Sequence, residues 1–281
     1  MLSHRVDFLL ECVGFPPEQS LDELVELVRR EGEAAPWRGN AADHRRLPIG
    51  GGVELRIDRD DAEQPWSVLP HYQTNRRLRV CVDRIRPVPD SRFDALLTGW
   101  AAPPFVDGDE LASRITGEGW TAVAHAPGAY PIATYLTDAR RLPTRLPSGS
   151  VLAVSVAGFA LTVDYLGADD GGDHPDAVER EHGAAIQPLG SSEDPGGCCE
   201  VSLRVLEVAR LENPYTGRRF DRLETDAPER PHTLFVSRWQ LEQDGLPEPR
   251  AGQRIEGSFL FTGRVAGGLP GPRSTARGTF G

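Results

Sequence analysis

A run of short alternating segments punctuated by turn residues limits this chain more than any other feature, and it is clearest from Glu200 to Arg264. Val201, Leu203 and Val205 alternate with polar residues, the period of a half-buried strand. Asn213-Pro214-Tyr215-Thr216-Gly217 then carries the chemistry of a turn: Pro214 presets its φ and Gly217 tolerates a positive one. A second strand is expected through Phe220 and Leu223, with Phe220 pointing inward, and a third through Leu234, Phe235 and Val236. Pro247, Pro249 and Gly252 interrupt the chain before a last strand, Ile255 to Phe261. With Gly 30 and Pro 24, about a fifth of the 281 residues are turn formers, which favours many short elements over a helical bundle.

The fold class that follows is α+β, predominantly antiparallel β. The division expected is an N-terminal mixed domain over 1–166, an acidic glycine-rich linker over 167–197, a small β-barrel-like domain over 198–265 and a flexible tail over 266–281. Asp169-Asp170-Gly171-Gly172-Asp173 opens the linker and Asp194-Pro195-Gly196-Gly197 closes it, with one helical turn possible at Ala177 to His182.

Within the N-terminal part, Val6 to Val13 reads as a strand. The one amphipathic helix starts at Ser20, which forms a capping box with Glu23, and places Leu21, Leu24, Val25 and Val28 on one face. Arg29 and Arg30 suit the negative end of its dipole, and Gly32 is a stop. Residues 33–52 read as a loop closing on Gly50-Gly51-Gly52. No Lys-Ser/Thr and no helix follow those glycines, so they lack what a phosphate loop needs. Val53 to Trp100 reads as antiparallel strands, with Leu78, Val80 and Val82 sharing a face. Asp107 to Thr116 reads as a short helix, and Trp120 to Ala124 and Tyr130 to Leu136 as two more strands. Val151 to Tyr165 fits both periods; its β-branched content and interior Gly158 favour a strand. Leu78-Arg79-Val80 with Arg92-Phe93-Asp94 is echoed by Leu203-Arg204-Val205 with Arg219-Phe220-Asp221; a strand–turn–strand unit used twice would produce this, and so would chance resemblance between two arginine-rich hairpins.

The net charge of −11 opposes non-specific binding to phosphate backbones, so nucleic acid is disfavoured as a partner. The longest apolar run, Val151 to Val163, is too short to span a bilayer, and Asp7 and Glu11 interrupt the only apolar patch near the start. A cytoplasmic location is expected, and Cys12, Cys81, Cys198 and Cys199 suit a reducing compartment.

Asn213 to Phe220, Ile255-Glu256-Gly257-Ser258-Phe259 and Gly263-Arg264 resemble a widespread family of bacterial proteins of unassigned function. The likeness extends more weakly to Ala157-Gly158-Phe159-Ala160 and implies no activity, cofactor or catalytic residue. In strand rhythm the C-terminal part is also similar to OB-type barrels.

Four kinds of chemistry have candidate residues in the chain. His174 and His182, among linker carboxylates, are candidate metal ligands, although their spacing matches neither a two-histidine helix motif nor a calcium loop. Ser155 lacks the flanking glycines of a nucleophile elbow, and Cys81, which His71 could activate, reads as a small buried hydrophobe. His71, Tyr72, His125 and Tyr130 are candidate ligand-binding residues in an aromatic-rich region with Trp66, Trp100 and Trp120; the competing reading is an ordinary core. An OB-type single-strand binder would use Tyr215, Phe220 and the arginines around them, which acidic residues balance. The expectation is a binding module for a protein partner or small polar ligand, without cofactor; the alternative is a hydrolase or metal-dependent enzyme.

Overall fold

The computed structural model describes residues 8–34, 43–59, 65–88, 91–101, 130–139, 142, 146, 150–166, 184–190, 196–227 and 231–266. His125, His174 and His182 lie outside the described residues, as do the helix expected at Asp107 to Thr116, the strand at Trp120 to Ala124, the turn at Ala177 to His182 and nearly all of the tail.

Helix α1 (Leu21–Glu31) forms as its sequence dictates. Ser20 Oγ accepts from the Glu23 amide at 3.3 Å, and Glu23 Oε2 accepts from the Ser20 amide at 3.0 Å. Leu24, Val25 and Val28 are buried, whereas Leu21, expected on the same face, is exposed. The helix packs on a four-stranded antiparallel sheet: β1 (Glu33–Ala34), β2 (Asp43–Gly50), β3 (Val53–Arg59) and β4 (Ser67–Tyr72). Residues 33–52 are therefore not simply a loop. The three glycines, all at positive φ, turn β2 into β3.

The segment expected as a strand at Val6 to Val13 is instead a helical turn over residues 8–11, closed by a Cys12 N–H to Phe8 O bond of 3.3 Å. Tertiary contacts set this outcome: Leu9, Leu10, Cys12, Val13 and Phe15 are all buried, and the Cys12 thiol donates to Ala160 O. A second helix, α2 (Arg238–Gln243), was not anticipated; Ser237 caps it by accepting from the Gln240 amide.

The remaining strands form one nine-stranded sheet: β5 (Leu78–Val88), β6 (Ser91–Ala101), β7 (Tyr130–Leu136), β8 (Val151–Leu166), β9 (Ala185–Pro188), β10 (Cys198–Glu212), β11 (Arg219–Thr225), β12 (His232–Ser237) and β13 (Arg254–Val265). The order is β11-β12-β8-β5-β6-β7-β13-β10-β9, with β11–β10 and β8–β13 also bonded. The long antiparallel pair β8–β13 runs from Leu166↔Arg254 to Val154↔Val265. Gly257 permits its closest approach: at φ +146 a Cβ there would sit 2.1 Å from Thr162 O.

On either side of that pair the chain repeats one plan. In each unit the first two strands are an antiparallel hairpin (β5–β6, β10–β11), and the third lies antiparallel to the second. The first strand pairs with its own fourth, but the third runs parallel to the fourth strand of the other unit: β7 on β13, β12 on β8. The echoed sequences fall on the first and second strands of the two units. A four-strand unit used twice, with third-strand partners exchanged, accounts for both the echo and the topology.

This exchange bears on the expected architecture. Strands of 198–265 complete their hydrogen bonding through β8, which lies N-terminal to the expected linker, and the buried apolar side chains form one cluster from Leu9 to Val265. β9 itself lies inside the segment expected as a linker and pairs with β10.

Candidate functional site

β3 is buried along both faces, and this takes three charged side chains into the interior. By strand alternation Val53, Leu55 and Ile57 share one face and join the apolar core; Glu54, Arg56 and Asp58 share the other and are also buried. A charge taken out of water needs a partner. Glu54 Oε1 accepts from Arg56 Nε at 2.7 Å, and Glu54 Oε2 accepts from Gln73 Nε2 at 2.5 Å. Asp58 Oδ1 lies 2.7 Å from His44 Nδ1 on the neighbouring strand. Arg56 also donates to Thr137 Oγ1 at 3.4 Å, and His71 Nε2 meets the same hydroxyl in a short hydrogen bond.

Where this face meets the end of the β8–β13 pair, a cleft of about 510 Å³ opens. β3 and β4 supply Arg56, His71 and Tyr72; the following loop supplies Gln73, Thr74, Asn75 and Arg77. The far wall is Ser155 and Arg264, directly opposite one another in the β8–β13 register, with Val265 and Ala266. Ser155 Oγ donates to Arg264 O at 3.3 Å. Asp138, fully buried, holds this wall: Oδ2 is 3.6 Å from Arg264 Nε, and Oδ1 accepts from the Val265 amide at 3.2 Å. Tyr72 turns its ring edge to Phe235, centroids 5.2 Å apart, tying the cleft to the aromatic core.

His71 and Tyr72, both candidates from the sequence, thus meet in one cleft. Tyr130 is elsewhere, buried in the core: its hydroxyl is 2.6 Å from His232 Nε2, and His232 packs edge-on against Phe261. Burial lowers His232 to a pKa of about 4, so its imidazole is neutral at physiological pH. Trp100 is buried and Trp66 stacks under the Arg59 guanidinium at 4.4 Å. Arg56, Thr137, Asp138 and Arg264 were not singled out in the sequence. The signal for Arg56 was the alternation of Glu54, Arg56 and Asp58, which reads as a solvent face until a second layer covers it.

A second cavity of about 400 Å³ lies between the N-terminal turn and α2, lined by Phe15, Trp239, Arg218, Arg219, Arg238 and the carboxylates Glu11 and Glu242. Behind it Asp221 is buried 3.2 Å from Arg238 Nε; burial pushes its carboxyl up while Arg238 and Arg210 pull it back.

Among the described residues no group of three His, Cys, Asp or Glu side chains is placed to hold a metal ion. Burial pushes the thiols of Cys12 and Cys199 up to about 12 and that of Cys81 to about 11, which leaves little thiolate at neutral pH. No helix among the described residues is long and apolar enough to cross a membrane. No family model matches this chain, and neither a curated protein nor a solved structure is significantly similar to it.

Proposed function

We propose that this protein is a binding module whose ligand is a small polar molecule held in the cleft between the four-stranded sheet and the β8–β13 pair. The observation that carries this reading is the lining: a concave space of about 510 Å³ in which side-chain donors from two sheets converge on one volume. Arg56 and His71 at its floor are fixed by buried hydrogen bonds, which pre-organises them for a guest.

Binding is favoured over hydrolysis by how the candidate nucleophile and base are engaged. Ser155 points its hydroxyl at the Arg264 carbonyl, and His71 is bonded to Thr137 rather than to Ser155. An OB-like single-strand binder is less well supported. Tyr215 Oη donates to Pro48 O at 3.4 Å, Arg222 donates to Gly51 O at 3.2 Å and Phe220 is fully buried, so this hairpin engages both of its candidate stacking rings in the scaffold. The residues that resemble a bacterial family of unassigned function lie on that hairpin and on β13, and add no activity to the reading.

The test is a titration of the labelled protein with a library of small polar compounds, followed by amide chemical shifts. The reading expects saturable shifts gathered at Tyr72 to Arg77 and Arg264 to Ala266. Saturable shifts confined to other surfaces would move the function away from this cleft.

A further inference from the structure

We propose that the ligand of the cleft is an oxyanion, a small molecule carrying a phosphate or carboxylate group; this rests on the cleft being a binding site at all. Among the described residues, the basic side chains of the lining are Arg56, Arg77, Arg264 and His71, and no carboxylate is among them. Among the described residues, the carboxylates paired with Arg56 and Arg264 are Glu54 and Asp138, and neither is part of the lining. Arg56 and Arg264 thus line the cavity while these two counter-charges do not. That arrangement holds an arginine in place without filling the space an anion would take.

The sign of the cleft runs against that of the molecule. In a chain of net charge −11, a lining whose described residues include three arginines and no carboxylate is a local reversal of sign. The opposite sign gathers at the β9–β10 edge, where Glu200 and Glu256 line a separate groove. Arginine's planar fork donates to phosphate or carboxylate oxygens in pairs, so Arg77 at the mouth and Arg264 on the wall set the geometry, with His71 at the floor.

Chemical-shift titrations with inorganic pyrophosphate, with citrate and with neutral xylitol, all at one fixed ionic strength, test this. One of the two anions is expected to bind with saturable shifts at Tyr72 to Arg77, and which one separates a phosphate ligand from a carboxylate ligand. Arg77→Gln, at an exposed position, is expected to weaken that binding roughly tenfold. Arg264→Gln should do the same if the variant folds beside Asp138. Arg84→Gln, an equal charge change on the exposed part of β5, should leave it unaltered. Anion binding indifferent to Arg77→Gln, or weakened equally by Arg84→Gln, overturns the proposal. Shifts in the cleft with xylitol alone overturn the oxyanion while keeping the site. No shift with any probe counts against both.

Discussion

Asn213 reaches across 200 residues of sequence to donate from Nδ2 to the carbonyl of Val13 at 2.9 Å. The same side chain accepts from the Tyr215 amide through Oδ1, and Thr216 Oγ1 donates to Gly14 O at 2.6 Å. The turn between β10 and β11 is thus the clamp that holds the N-terminal segment on the sheet. Asn213→Ala leaves a buried carbonyl without this donor and should cost about 1–3 kcal/mol in chemical denaturation, with faster amide exchange over residues 8–15. Unchanged exchange there would show that the segment is held by its apolar side chains alone.

Gly217 sits at φ +69 and a Cβ there would meet nothing within 4 Å, so a substitution pays only in backbone strain. Gly217→Val is expected to lower stability by about 1–3 kcal/mol. Phe220, fully buried two strands from Phe159 and tilted against Phe235, should cost about 3–5 kcal/mol when truncated to alanine. Denaturant midpoints of the two variants compare the terms directly; equal midpoints with the parent would remove this turn from the scaffold.

For α1 the same ledger is smaller at the cap than in the core. Ser20→Ala should cost about 1 kcal/mol, because it removes one half of a solvent-exposed capping box. Leu24, 1% exposed, should cost about 2–5 kcal/mol as alanine. A Leu24→Ala protein with unaltered melting would mean that the helix is not part of the cooperative unit.

His232 makes stability depend on pH with a definite sign. Its folded pKa, about 4, lies below the ordinary value of 6.5, so between these pH values the unfolded chain binds more protons than the folded one. Its contribution to stability is therefore complete above about pH 6.5 and is lost progressively as pH falls toward 4. The loss amounts to about 3 kcal/mol at most. His232→Phe should flatten this part of the profile measured by urea denaturation from pH 4 to 7; an equally steep profile would assign the slope to other groups.

Cleavage within residues 167–183 should leave two pieces that elute together under native conditions. β8 on one piece is bonded to both β12 and β13 on the other. Separate elution of the two pieces would restore the independent C-terminal domain that the sequence suggests.

What the sequence determined by itself is local. The capping box of α1, the positive φ at Gly217, the burial of Phe220 and the strands β5, β10 and β11 all follow from a few adjacent residues, and each is found in the structure. β8 was the informative ambiguity. Its run fits two periods because it is buried on both sides, and only neighbours on both edges decide for a strand. The N-terminal segment and β2 were misread for a related reason: contacts to the 213–217 turn and to β3, remote in sequence, set their conformation.

The cleft belongs wholly to the tertiary structure. His71 and Tyr72 were legible as polar-tipped aromatics, but nothing in their neighbourhood names Arg264 as the opposite wall or Asp138 as its support. Glu54, Arg56 and Asp58 look like a wet strand face because alternation reports which residues share a side, not whether that side meets water. The rest of the tertiary structure makes the difference: it buries that face, forces each charge to find a partner, and brings Arg56 and Arg264 to one cleft.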